Sequence, residues 1–181
     1  MMKSIKVLDK EFVPMIPAED IANEVRRVAN EINRDYEGKN PLFLAILNGS
    51  FMFAADLLRE INIPCEITFV KMSSYEGVSS TGTVNEIIGL NKSIEGRDVI
   101  IVEDIVDSGV TMAHILETLE GHNPNSLEIC TFFVKPENLK IDLDIRYTAM
   151  GIPNDFIIGY GLDYYGYARN LKDIWVLKSK G

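Results

Sequence analysis

The chain has 181 residues, 46% hydrophobic and 25% charged, the size and balance of a single globular domain able to bury about 70% of its unfolded surface without disulfides. Its formal net charge of -9 argues against a general nucleic-acid binder, because affinity for a phosphate backbone comes from clustered Lys and Arg. MMKSIKVLDKEF has no apolar signal core and no run reaches membrane-spanning length, so a cytoplasmic protein with no membrane partner is expected; Cys65 and Cys130 lack metal or redox spacing and read as core residues of a reducing compartment.

In chain order, Ile21, Val25, Val28 and Ile32 recur at helical spacing, which predicts an amphipathic helix from Pro17 to about Arg34. Leu42 to Leu47 is a continuous apolar run of the kind buried on both faces of a parallel sheet. Asn48-Gly49-Ser50 is a tight loop, and Ala54, Leu57, Leu58 and Ile61 form the next helical face before Pro64. Ile67 to Met72 reads as strand. Ser73 to Gly82 is polar, glycine-bearing and too long for a tight hairpin, so a mobile lid is expected there, ahead of a strand over Thr83 to Ile88. Val99 to Val102 is another buried strand, and Met112, Ile115, Leu116 and Leu119 mark the helix after it. His114 falls on that helix's flank and His122 in the turn before Pro124, so they are no zinc pair. Leu127 to Val134, Phe156 to Gly159 and Ile174 to Leu177 complete the strands. The alternation predicts an α/β fold with a mainly parallel central sheet flanked by helices.

The chemistry concentrates at the end of the Val99 strand. Glu103 and Asp104 are adjacent anions, with Asp107 three residues on. Like charges about 4 Å apart repel by roughly 4 kcal/mol at an effective dielectric of 20, so hydroxyl donors or a divalent cation must offset them. Ribose and magnesium both suit. Asp107-Ser108-Gly109-Val110-Thr111 then opens a helix, where converging backbone N–H groups and the positive helix end make a phosphomonoester site. The Asp-Ser-Gly triplet alone reads equally well as a helix cap and turn; strand, acidic pair and loop together favour the ligand.

The stretch VIIVEDIVDSGVT, from Val99 to Thr111, resembles the phosphoribosyl pyrophosphate motif of the type I phosphoribosyltransferases. The match runs from about Ile5 to Leu177 and is strongest to the bacterial branch that acts on hypoxanthine and guanine. The resemblance implies one domain over 1–181, with a small hood over the active site built from the N-terminal segment and roughly 136–181. It also implies an enzyme of purine salvage. Such an enzyme moves the 5-phosphoribosyl group from phosphoribosyl pyrophosphate to N9 of hypoxanthine, guanine or xanthine, giving the nucleoside 5′-monophosphate and pyrophosphate. Magnesium is the implied cofactor, and a homodimer or homotetramer the implied assembly.

By the same resemblance, Asp107 is the general acid/base, and Glu103 and Asp104 hold the ribose hydroxyls directly or through the metal. Ser108, Gly109, Val110 and Thr111 cradle the 5′-phosphate. Asn48, Gly49 and Arg169 meet pyrophosphate, with a non-proline cis peptide often preceding the position of Asn48; many relatives carry Lys or Arg there. Ser74 and Tyr75 belong to the flexible loop. Lys135 donates to the C6 oxygen of the base, Phe156 stacks on it, backbone groups around Ile157 read its edge, and Asp163 helps hold magnesium.

Taken singly, most of these segments have plainer readings: a turn at Asn48, a solvated loop at Ser74, an edge cation at Lys135, a core ring at Phe156. Two other classes share the fold, an RNA-binding regulator and a noncatalytic phosphoribosyl pyrophosphate sensor. A composition without a basic patch argues against the first. Retention of Asp107, Lys135, Asp163 and Ser74-Tyr75 argues against the second.

Overall fold

The computed structural model describes residues 4–76 and 83–178. Two N-terminal strands, β1 (Ile5–Val7) and β2 (Lys10–Ile16), precede helix α1 (Ala18–Asp35). Then come β3 (Leu42–Leu47), α2 (Phe51–Glu60), β4 (Glu66–Glu76) and β5 (Thr83–Ile88). β6 (Asp98–Val106), α3 (Val110–Glu120) and β7 (Ser126–Val134) follow, and a 3-10 turn over Pro136–Asn138 leads to β8 (Tyr147–Gly151), β9 (Ile157–Ile158) and β10 (Ile174–Leu177).

The larger sheet has the order β5-β4-β3-β6-β7-β8. Five of its strands run parallel and β5 is an antiparallel edge. Alternation along the central strands explains why they are apolar throughout. Phe43, Ala45, Ile100 and Val102 pack on the side of α1 and α2, while Leu42, Leu44, Ile46, Val99 and Ile101 pack against Met112, Ile115 and Leu119 of α3. Each fully buried Val, Leu or Ile contributes about 1.5–3 kcal/mol. α1 adds Ile21, Val25, Val28, Ala29 and Ile32, the periodic face expected of it, and Pro17 stands at its N-cap.

The second sheet, β1-β2-β10-β9, is antiparallel and closes over Phe12, Ile158 and Trp175. It takes strands from both ends of the chain. β2 tolerates Pro14, which lacks an N–H, where its register with β10 shifts between Ile174 and Trp175.

Four expectations are corrected. Ser74 and Tyr75 are not loop residues along the backbone: β4 continues to Glu76 and pairs them with Asn85 and Val84 of β5, and the remaining lid residues, 77–82, lie outside the described residues. The Val99 strand continues to Val106, because β7 stays paired beside it (Ile105 with Phe133, Val106 with Val134), so Glu103 and Asp104 lie within the strand. Tyr147–Gly151, within the stretch assigned to the hood, is the edge strand of the larger sheet. The strand expected from Phe156 to Gly159 shortens to Ile157–Ile158, since Gly159 turns at φ 101°. Cys130 is buried in β7 and Cys65 packs at the core margin, and burial raises both thiols.

Candidate active site

Parallel strands bring their carboxyl ends to one edge of the sheet, and the loops after β3, β6 and β7 meet there. The β6–α3 loop is the centre. An open cavity of about 190 Å³ is lined by Glu103, Ile105, Val106, Asp107, Ser108, Gly109, Thr111 and Met112. Gly109 stands at φ 79° at the N-cap of α3, a conformation glycine adopts without the Cβ penalty. A side chain there would press on Leu139 and Leu143. The first N–H groups of α3 have no carbonyl a turn earlier to bond, and they open toward this loop. The Ser108 hydroxyl lies 3.5 Å from the Val110 N–H, and the Ser108 carbonyl accepts the N–H of Lys140 at 3.0 Å.

Glu103 and Asp104 are held by backbone. The Asp104 N–H donates to Glu103 Oε1 at 3.0 Å, and the Ile105 N–H donates to Asp104 Oδ1 at 2.9 Å. Among the described residues no Lys or Arg pairs with either carboxylate. Burial first, and then the adjacent Asp104, push Glu103 well above the usual carboxylate range. Two hard oxygen ligands side by side, short of compensating charge, suit magnesium. That ion takes one or two carboxylates and fills its octahedron with water and substrate phosphate. Among the described residues no three His, Cys, Asp or Glu side chains gather as a metal cage, so the other ligands would come from substrate.

The Asn48-Gly49-Ser50 loop, reached through a cis Leu47–Asn48 peptide, packs directly on Asp104. A Cβ on Gly49 would overlap the Asp104 carboxylate, and a Cβ on Gly161 would overlap the Gly49 carbonyl. Both glycines are required by close approach. Ser50 anchors the loop, its hydroxyl donating to the Ile46 carbonyl at 2.5 Å.

Gly161 carries Arg169 to the same place. The Arg169 guanidinium donates to the Gly161 carbonyl at 2.7 Å and pairs with Asp163 Oδ1 at 2.7 Å, while Asp163 Oδ2 accepts the Gly166 N–H at 2.6 Å. Asp163 and Arg169 therefore satisfy one another here.

Lys135 and Asp107 form the most telling pair. Lys135, first residue after β7, is only 8% exposed, and its N–H bonds the Val106 carbonyl at 3.0 Å, which sets it beside Asp107. Its ammonium lies 2.9 Å from Asp107 Oδ2 and 3.3 Å from Asn154 Oδ1. Asn138 donates to the other Asp107 oxygen. Burial alone would raise Asp107; hydrogen bonds from Lys135 and Asn138 and the charges of Lys135 and Lys140 outweigh it and hold the carboxyl below its ordinary value. Phe156 lies two residues after Asn154, 46% exposed, backed by Phe12 at 6.2 Å and by Tyr164 edge-on at 5.8 Å between ring centres.

A family model, the phosphoribosyl transferase domain, matches residues 17–165. The chain belongs to the phosphoribosyltransferase family. The hypoxanthine-guanine phosphoribosyltransferase of Staphylococcus aureus is 42% identical over 165 residues, 91% of this chain and 92% of that protein. The Streptococcus agalactiae protein of the same name is 41% identical over 163 residues, 90% and 91% of the two chains. A crystal structure of a hypoxanthine-guanine phosphoribosyltransferase from Bacillus anthracis has a TM-score of 0.82 at 36% identity, covering 98% of this chain and 99% of that one. A Trypanosoma cruzi hypoxanthine phosphoribosyltransferase, solved as a ternary substrates complex, has a TM-score of 0.83 at 39% identity over 91% and 94%.

In this phosphoribosyltransferase, sequence reasoning passed over Asn138 and Asn154. Both sit in turns beside a proline, Pro136 and Pro153, where polar residues are common for purely local reasons. A proline immediately after a strand-end lysine was the available signal for Asn138, since the turn it starts folds back on the strand end.

Proposed function

We propose that this chain transfers the 5-phosphoribosyl group of phosphoribosyl pyrophosphate to N9 of a 6-oxopurine, with inversion at the anomeric carbon. The Lys135–Asp107 pair beside the cavity after β6 carries the reading. The bond from the anomeric carbon to pyrophosphate oxygen breaks as the bond to N9 forms, and the proton leaving the base goes to Asp107. Its carboxylate, held low in pKa, is in the accepting form at neutral pH.

Lys135 donates to the C6 oxygen. An exocyclic amino group there cannot accept, and an unpaired buried polar group costs about 1–3 kcal/mol, so adenine is disfavoured. Phe156 offers its exposed face to the purine, with backbone around Ile157 at its edge. Glu103 and Asp104 hold the ribose hydroxyls, and the loop from Ser108 to Thr111 holds the 5′-phosphate. Asn48, Gly49 and Arg169 face pyrophosphate, Arg169 leaving Asp163 as it does so. Glu103 and Asp104 would hold magnesium, which would supply positive charge to the leaving group, and Asp163, paired with Arg169 here, would join them only once Arg169 has turned to pyrophosphate. The neutral Asn48 leaves more of that task to Arg169 and the metal. The reading includes a cytoplasmic homo-oligomer, with the stretch bearing Ser74 and Tyr75 shielding an oxocarbenium-like transition state from water.

The test is magnesium-dependent pyrophosphate release with hypoxanthine, guanine, xanthine, adenine and uracil offered separately. Turnover confined to the 6-oxopurines is expected. Turnover with adenine or uracil overturns the base assignment, and none with any base overturns the reaction.

A further inference from the structure

Two asparagines meet the Asp107–Lys135 pair with opposite polarity. An ammonium has three N–H donors and accepts nothing; an ionised carboxylate only accepts. Lys135 uses one donor on Asp107 Oδ2 at 2.9 Å and one on Asn154 Oδ1 at 3.3 Å, leaving a third. Asp107 Oδ1 is met by the Asn138 amide N–H, so each carboxylate oxygen has one donor and a lone pair to spare. The charges thus dictate which end of each amide faces the pair.

Neither amide is loosely placed. The Asn138 N–H closes its turn on the Lys135 carbonyl at 3.0 Å, and two residues later Lys140 is bonded to the Ser108 carbonyl. Asn154 stands between Ile152, whose N–H bonds the Val134 carbonyl at 2.9 Å, and Phe156. Asn138 therefore links Asp107 to the phosphate loop, and Asn154 links the Lys135 ammonium to the segment bearing Phe156.

We propose that Asn138 and Asn154 are positioning residues of the transfer site: Asn138 fixes the rotation of the Asp107 carboxylate, and Asn154 aims the third N–H of Lys135 at the base while setting its relation to the Phe156 ring. The inference rests on the reaction proposed above. It divides the work between chemistry and recognition. Loss of the Asn138 donor lets Asp107 turn toward Lys135, so turnover falls. Loss of the Asn154 acceptor frees Lys135 from the Phe156 segment, so base affinity falls.

One substitution, Asn to Asp, has opposite consequences at the two positions. Asn138→Asp removes the donor and sets a second carboxylate against Asp107. Asn154→Asp keeps the acceptor. Steady-state kinetics with hypoxanthine and phosphoribosyl pyrophosphate, alongside thermal unfolding, read both. Loss of a hydrogen bond to a charged group corresponds to roughly 10–100-fold, so Asn138→Asp is expected to lower kcat by about that factor with KM for both substrates little moved. Asn154→Ala is expected to raise KM for the base about 10-fold, with kcat and the KM for phosphoribosyl pyrophosphate within about twofold, and Asn154→Asp to recover most of that loss. Should Asn138→Asp not fold, Asn138→Ser keeps a shorter donor and is expected to lower kcat less than Asn138→Ala. Equal responses of the two Asn-to-Asp variants, or a rise in both KM values for Asn154→Ala, overturn the proposal while leaving the reaction standing. A wild-type protein that turns over no base overturns both.

Discussion

The two ends of the larger sheet both carry carboxylates, and they treat them differently. At the amino ends of β6 and β7, Asp98 accepts from Asn125 and Ser126, each at 2.6 Å. Beside them Asp35, at the end of α1, accepts from Arg146 at 2.9 Å and from the Tyr147 hydroxyl at 3.0 Å. Both are held below their ordinary values, Asp98 chiefly by Ser126 and Asn125, Asp35 chiefly by Arg146. At the carboxyl ends, Glu103 and Asp104 are held by backbone N–H groups and face each other, and Glu103 is driven up by burial and its neighbour. One end has its charges balanced by protein. The other leaves the Glu103–Asp104 pair without a cation among the described residues, an imbalance of the kind that marks binding and catalytic sites.

The largest expected break in this contrast is Asp107→Asn. It preserves shape but cannot take a proton and leaves one acceptor where Lys135 and Asn138 had two, so kcat is expected to fall by about 10²–10⁴ while binding of phosphoribosyl pyrophosphate, measured by calorimetry, persists. A variant with near-normal kcat would remove Asp107 from proton transfer. Gly161→Ala comes next. Its added Cβ enters the Gly49 carbonyl at a φ of 97°, and a loss of about 3 kcal/mol in unfolding free energy is expected, together with weakened pyrophosphate binding. Unchanged stability would mean that the two loops part without cost.

Smaller effects sharpen the comparison by sign. A carboxyl whose folded pKa is raised is penalised above that pKa and relieved as pH falls through it; one whose folded pKa is lowered stabilises above its unfolded value and loses that stability as pH falls through the folded one. Glu103→Gln, which keeps an acceptor for the Asp104 N–H, is therefore expected to raise the thermal midpoint at neutral pH by about 2–4 °C and to weaken substrate binding. Asp98→Asn is expected to lower the midpoint by about 2–4 °C with turnover unchanged. The Glu103→Gln difference should shrink as pH falls from the raised Glu103 value to the ordinary carboxylate range, and the Asp98→Asn difference as pH falls below that range. If both variants shift the midpoint in the same direction, the two ends are not electrostatically distinct.

Much of this was legible in the residues. Continuous apolar runs marked β3, β6 and β7 because each is buried on both faces, and helical spacing marked α1 and α3. β2 and β8 were not legible. KEFVPMI contains a proline, and YTAMG is short with small and polar residues, so neither announces a strand until its partner is present. The acidic pair and the Asp107 loop are contiguous, and their chemistry showed at once. The ion pair of Asp107 with Lys135, the backing of Phe156 by Phe12 and the contact of Gly49 with Gly161 join residues remote in sequence, and no local pattern encodes them. Ser74 and Tyr75 misled because polar side chains suit a lid and an antiparallel edge equally well.

The order of the smaller sheet bears on how the protein is made. β2 precedes its partner β10 in the chain by the whole of the larger sheet, and among the described residues β9 joins the smaller sheet through β10. The larger sheet has all its strands once residue 151 has emerged. All strands of the larger sheet can therefore pair before β10 is made, and β2 and β9 are joined when β10 slots between them.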